Sequence, residues 1–315
     1  MQRTHILAAA LIAFIVVGAA AGFYLSSRSA SVSSSSSSQT STSKVQIVAA
    51  ENFWGSLVSQ LGGTQVQVLS IVSDPNADPH EYAVTSADAR AVANANLVIV
   101  NGAGYDKWAV SLISASNNPH QKVLNVADLL GKKQGDNPHF WYDALYVNQT
   151  VHVMFTDLVS IDSANTAYYR QHYAILNASL HEYMSLEAEI KQKFAGTPVA
   201  STETIFEYMA NATGLHVVSP PGFMESVSEG NDPAAQDVAI FQNQLSQKGT
   251  VKVLIFNSQT VTPLTEGLRV MAAQRGIPTV AVTETILPPD LTFQTWMNSE
   301  LISLRNALTS QSLGQ

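Results

Sequence analysis

The stretch from Ser163 to Phe194 contains neither glycine nor proline, and on both sides of it short apolar runs alternate with segments of helical spacing. Within it Tyr168, His172, Leu176, Leu180 and Tyr183 recur at steps of three to four residues, which puts them on one face of a helix. About thirty residues at roughly 1.5 Å each reach across an entire domain, so the spacing predicts a rigid strut between two lobes. Before the strut, β-rich runs at 45–50, 66–72, 97–101 and 123–126 alternate with helical patterns at 53–61, 85–95 and 108–115, the second of them opening on a capping-box signature at Thr85 and Asp88. After Gly196 the alternation resumes, with strands at 198–201, 215–219, 251–257 and 279–283 and helices at 205–212, 233–248, 264–275 and 292–308. Parallel strands need crossovers, so this order predicts an α/β fold of two lobes, each a mainly parallel sheet flanked by helices.

The N-terminal part reads differently. Ile6 to Leu25 is an uncharged, almost wholly apolar run between Arg3 and Arg28, long enough to span about 30 Å of hydrocarbon as a helix. It is also long for a signal-peptide core, although Ala19 to Ala21 offer small residues for cleavage, so anchor and removed signal peptide both stand. Either one exports the remainder. Ser26 to Ser43 is nearly all serine and threonine and forms no core, which predicts a flexible tether. The expected organisation is an anchor or signal at 1–25, a tether at 26–44, one α/β lobe at 45–160, the connecting helix at 161–195 and a second lobe at 196–315. The predicted location is the extracytoplasmic face of the membrane, tethered or secreted after cleavage.

From Lys44 onwards 24 acidic side chains face 14 basic ones, a balance of −10. Nucleic acid, which demands a basic face, is thereby excluded as the expected partner. The chain has no cysteine, so disulfides, thiolate zinc sites and cysteine nucleophiles are excluded too, and an acylated-cysteine anchor is not expected. Any metal must use His, Asp or Glu. Sequons at Asn148, Asn177 and Asn211 are frequent enough by chance to decide nothing.

Two loops repeat one design. Asp78-Pro79-His80 and Asn137-Pro138-His139 each place an imidazole after a proline that stiffens the backbone, and each lies beyond the carboxyl end of a predicted strand, where parallel sheets bind ligands. Either histidine alone is as readily an ordinary surface residue; the matched pair points to ligands. Glu203 and Glu284 occupy corresponding strand-end positions in the second lobe. Each alone also reads as a first-turn acid favoured by a helix macrodipole. His172, His181 and Glu182 on the long helix form a weaker alternative set.

These segments are similar to the metal-specific substrate-binding proteins of ABC importers, the zinc and manganese group that includes surface proteins called adhesins. The matching stretches are AENFW at 50–54, DPHEY at 78–82, NLVIVNG at 96–102, NPHFWY at 137–142, FEY at 206–208 with Gly214-Leu215, and EGNDP at 229–233. The resemblance covers about residues 45 to 309, and the two Pro-His segments are its specific part. It implies a single long helix joining the lobes and one metal in the interlobe cleft, held by His80, His139, Glu203 and Glu284, with Glu203 at a position that is His in many zinc members. It also implies a permease partner, a monomer and no catalysis. Two features depart from the family: 117–136 holds only His120 in place of a His- and Asp-rich loop, and the apolar run with its Ser/Thr tether stands where a cysteine anchor is usual.

Two imidazoles and two carboxylates suit Zn²⁺ in four-coordinate geometry and Mn²⁺ at higher coordination, so the expected order is zinc, then manganese, then iron. Three rivals remain: a metallohydrolase using Glu81 or Asp143 as base, an adhesin with a structural metal, and a binder of metal chelates.

Overall fold

The computed structural model describes residues 44–75, 79–80 and 82–313. The expected anchor and tether, and Asp78 and Glu81 of the first Pro-His loop, lie outside the described residues. Among the described residues no helix is long and apolar enough to cross a membrane.

The first sheet is built from β1 (Val45–Glu51), β2 (Val66–Val72), β3 (Leu97–Val100) and β4 (Lys122–Asn125), in the order β2-β1-β3-β4 and parallel throughout. Burial follows position. The central β1 and β3 are almost continuously buried, as strands covered on both faces must be, whereas the edge strands β2 and β4 leave side chains in solvent. Helices α1 (Asn52–Gly62), α2 (Ser86–Asn94) and α3 (Lys107–Ser116) make the crossovers, and a short α4 (Val126–Leu129) follows β4. The Thr85 capping box forms as predicted, Thr85 Oγ1 accepting from Asp88 N while Asp88 accepts from Thr85 N. Gly102, after β3, has φ +80°, and a Cβ there would lie 2.1 Å from Asn125 Oδ1, so only glycine makes this turn.

Helix α5 (Ala144–Ile161) lies before the strut and is not among the elements read from the sequence. The strut itself is α6 (Thr166–Phe194), preceded by a 3₁₀ turn at Ser163–Asn165. Its buried stripe is Tyr169, Leu176, Leu180, Tyr183, Glu187 and Ile190; Tyr168 and His172 of the predicted stripe flank it, stacked on each other, with His172 Nδ1 2.9 Å from the Gln60 carbonyl. His181 and Glu182 are exposed.

The second sheet holds β5 (Pro198–Ser201), β6 (His216–Val217), β7 (Leu254–Asn257) and β8 (Thr279–Val282) in the order β6-β5-β7-β8, again parallel. Its helices are α7 (Glu207–Thr213), α8 (Pro221–Ser228), α9 (Ala235–Ser246), α10 (Pro263–Gln274) and α11 (Phe293–Leu313). One expectation fails here: Pro233 precedes α9 instead of opening it. Helix α8 carries Pro221 in its first turn, where the fixed φ of proline suits a helix. All three sequons fall in helices, and Thr150 and Thr213 of two of them are buried.

Both sheets belong to one compact body. One hydrophobic core runs through both lobes, from Phe53, Trp54 and Leu57 through Leu176, Leu180 and Ile190 of α6 to Val253, Trp296 and Leu301. Hydrogen bonds cross between lobes beside it: Asn52 Oδ1 accepts from Ile286 N at 3.0 Å, Gln294 Nε2 donates to Gln60 Oε1 at 2.7 Å, and Ser56 Oγ accepts from Phe293 N at 3.1 Å.

Glu300 of α11 sits at this junction. It accepts from Thr283 N at 3.1 Å, and its Oε2 lies 2.8 Å from the Tyr142 hydroxyl, which is also 2.9 Å from the Thr283 carbonyl. Burial pushes the Glu300 carboxyl up to about 8. A protonated Glu300 donates to Tyr142, leaving the tyrosine proton for the carbonyl, so all partners are satisfied. The folded state therefore holds this proton more tightly than the unfolded chain, whose glutamates titrate at about 4.3, and the stabilisation is present below that value and lost as pH rises through about 8. Glu300→Gln, which reproduces the protonated form, is expected to flatten the fall in Tm between about pH 5 and about pH 8; equal slopes in a melting series would contradict the assignment.

Candidate metal centre

The first-lobe histidines are held by local packing that their sequences specify. After β2, the Pro79 carbonyl accepts from Trp108 Nε1 at 3.0 Å, and the Tyr82 ring lies 4.9 Å from Trp108 while its hydroxyl donates to Asp88. The loop is stapled to α3 on both sides of His80. The His80 side chain is 31% accessible, with its ring 4.4 Å from that of Tyr105.

His139 precedes a 3₁₀ turn at Phe140–Tyr142, whose three aromatic side chains are fully buried. Its Nδ1 lies 2.7 Å from Asn137 Oδ1, an acceptor, so the proton belongs on Nδ1 and the Nε2 lone pair is left to bind. Burial, with a smaller push from His80, takes the His139 imidazolium well below its usual range, so the ring is neutral. Asn137 reaches the other lobe as well: its Nδ2 donates to the Thr204 carbonyl at 2.8 Å and to Glu207 at 2.9 Å, and Tyr208 Oη donates to the Asn137 carbonyl at 2.9 Å.

Glu203 and Glu284 follow β5 and β8 and are buried, 1% and 3% exposed. Neither behaves as a first-turn helix acid. Glu203 has extended backbone and its side chain caps nothing, and the helix after Glu284 begins only at Phe293. Donor atoms of His80, His139 and Glu284 all lie within 4.8 Å of one another, the only such grouping of three among the described residues. Glu203 stands outside this trio and is bridged to it by one amide: Asn257 Nδ2 donates to Glu203 Oε2 at 3.0 Å and to Glu284 Oε1 at 2.8 Å. Glu203 Oε1 accepts from Thr260 Oγ1, and Glu284 Oε2 accepts from Tyr105 Oη at 2.9 Å.

Tyr105 is kept a donor by burial and by the neighbouring negative Glu284, which together raise its hydroxyl well above the usual range. It is positioned by Asp106, which accepts from Asn101 N at 2.7 Å and Gly102 N at 2.9 Å. Asn101 Nδ2 in turn donates to the Pro138 carbonyl at 2.9 Å, tying the strand-end turn to the His139 loop. Glu51, wholly buried, is raised well above the carboxylate range by burial and then by Asp106, and burial raises Asp106 as well, opposed by the Gly102 and Asn101 N–H groups that donate to it. Asp143 accepts from Leu145 N and Tyr146 N at the start of α5, so the hydrolase base suggested by the sequence is a helix cap.

Asn257, Gln259, Thr260 and Tyr105 do not emerge from the sequence, and Asn137 appears there only as the start of a Pro-His segment, without a role. Asn257 carries the one available signal, since it ends β7 as the two acids follow β5 and β8.

The family described as zinc-uptake complex component A, periplasmic (ZnuA), matches residues 47–307. The chain belongs to this family. Among curated relatives, the manganese-binding lipoprotein MntA of Halalkalibacterium halodurans is 28% identical over 182 residues, covering 55% of this chain and 59% of the relative. The zinc-binding protein TroA of Treponema pallidum is 21% identical over 195 residues, covering 58% and 61%. The chain is thus matched to well under two thirds of the length of either. Among solved structures, the periplasmic zinc-binding protein TroA of Treponema pallidum superposes with a TM-score of 0.72 at 17% identity, over 84% of this chain and 99% of that one. A mutant of the laminin-binding adhesin Lmb from Streptococcus agalactiae does so at 0.70 and 16%, over 84% and 99%. These superpositions show that this ZnuA-family chain shares their two-lobed fold.

Within the ZnuA-family chain, Asn137 sets the face that His139 presents. Asn137→Ala is expected to lower divalent-metal affinity in isothermal titration by about 10- to 100-fold with an unchanged far-ultraviolet spectrum; undiminished affinity would show that the contact does not orient the ring.

Proposed function

We propose that this protein is the extracytoplasmic substrate-binding component of an ABC importer, which captures one divalent transition-metal ion and delivers it to a membrane permease. The observation that carries the reading is the meeting of His80 and His139 from one lobe with Glu284 from the other, in a chain whose family is named for zinc uptake. Glu203 is the proposed fourth ligand, bridged to Glu284 of the trio by the Asn257 amide. The ion is cargo, with Zn²⁺ the first expectation and Mn²⁺ the second, since two imidazole nitrogens and two carboxylates suit four-coordinate zinc and carboxylates gain manganese extra oxygen ligands. The protein acts as a monomer without catalysing a reaction, and the N-terminal apolar run tethers it or is cleaved on export.

Protein purified without added metal is expected to carry about one ion per chain by elemental analysis, and His80→Ala and Glu284→Ala to lose it. Full occupancy in both variants would refute the site.

The lobes share a core through α6 and several hydrogen bonds, so capture proceeds through side-chain and loop adjustment with only small tilts of the lobes. Solution scattering should give superimposable curves with and without metal, and a large closure would contradict this. The adhesin reading keeps one supporting observation, the fold shared with Lmb. Attachment to a matrix protein that persists after the metal is stripped would favour it over uptake.

A further inference from the structure

The second sheet places β7 between β5 and β8, with Ser201 paired to Ile255 and Asn257 to Val282. The strands that lead to the two buried acids are therefore neighbours of the same strand, and its last residue lies between those acids. That residue is Asn257, itself 3% exposed. Its Oδ1 accepts from Gln259 N at 2.9 Å, which fixes the amide so that Nδ2 faces the carboxylates. The two N–H groups then serve one acid each, Glu203 Oε2 at 3.0 Å and Glu284 Oε1 at 2.8 Å. Gln259 locks the arrangement from the far side. Its Oε1 accepts from Glu284 N and Thr285 N, and its Nε2 donates across the lobes to the Pro75 carbonyl in the loop that leads to His80.

We propose that Asn257 is the positioning residue that sets how many oxygens Glu203 and Glu284 give to a metal, and through that number the preference between zinc and manganese. This rests on the reading of the centre as a single-ion site formed by His80, His139, Glu203 and Glu284. A carboxylate that chelates an ion turns one lone pair of both oxygens to the same point. Here all four oxygens have a named donor: Asn257 and Thr260 on Glu203, Asn257 and Tyr105 on Glu284. Each donor occupies one of its oxygen's two lone pairs, and together the donors fix the plane of each carboxylate and so which oxygen faces an ion, which favours ligation through one oxygen per acid. Two nitrogens and two single oxygens make the four-coordinate set that zinc accepts, while manganese gains when the acids chelate. The amide also lies between two buried anions, so it holds them apart without neutralising either.

Cobalt reports the coordination number directly, because four-coordinate Co²⁺ absorbs far more strongly in the visible than six-coordinate Co²⁺. Wild-type protein titrated with Co²⁺ is expected to give the intense spectrum. In Asn257→Ala the intensity should fall, and the ratio of manganese to zinc affinity in isothermal titration should rise by about tenfold or more. Thr260→Val, which removes only the donor on Glu203 Oε1 and keeps the side-chain shape, should move both readouts in the same direction by less, and it decides the question if Asn257→Ala does not fold. An unchanged spectrum and ratio in the folded variants overturns the role of Asn257. Wild-type protein that binds none of the three ions overturns the metal-site reading instead.

Discussion

Two carboxylates buried within one hydrogen bond of the same amide are the costly feature around which the cleft is arranged. Removing an anion from water is unfavourable unless donors replace the lost solvation, and two anions together add mutual repulsion. The structure meets both costs at the carboxyl edge of the second sheet, where Asn257, Thr260 and Tyr105 donate to Glu203 and Glu284, and Gln259 holds the Glu284 backbone by accepting from its N–H. A neutral His139 and an accessible His80 complete a pocket of two imidazoles and two carboxyl groups. A divalent cation is the ligand such a pocket favours.

The remaining architecture keeps this arrangement in place. Each proposed ligand follows a strand or a proline-stiffened loop, and each loop is tied to a neighbour: Pro79 to Trp108, Pro138 to Asn101, Asn137 to Thr204. The aromatic run Phe140–Tyr142 anchors the His139 loop in the shared core, with the Trp141 ring 4.1 Å from Phe53. The core continues through α6 into the second lobe, so the two halves of the site are set at a nearly fixed distance. This stiffness implies that selectivity comes from what the side chains can reach and share, with little contribution from domain closure.

Much of this was legible in the sequence, for identifiable reasons. Strand and helix alternation is periodic, prolines fix the loops before His80 and His139, and the rule that parallel sheets bind ligands beyond their carboxyl ends singled out Glu203 and Glu284. Other features were not legible. Pro221 opens a helix where the local composition suggests a turn, and the buried stripe of α6 runs through Tyr169 because the neighbouring helices, which no local pattern specifies, decide which face is covered. Asn257 was missed because its meaning depends on strand order. In the chain β6 lies between β5 and β7, and only the folded sheet shows that β7 separates the strands bearing the two acids.

In the proposed centre, imidazole and carboxylate from opposite lobes bind the same ion. X-ray absorption at the zinc edge of zinc-loaded protein tests it most directly. The expected spectrum shows the outer-shell scattering of two imidazole rings together with oxygen neighbours, all first-shell distances near about 2.0–2.2 Å. A first shell of oxygens with no imidazole signal would contradict it.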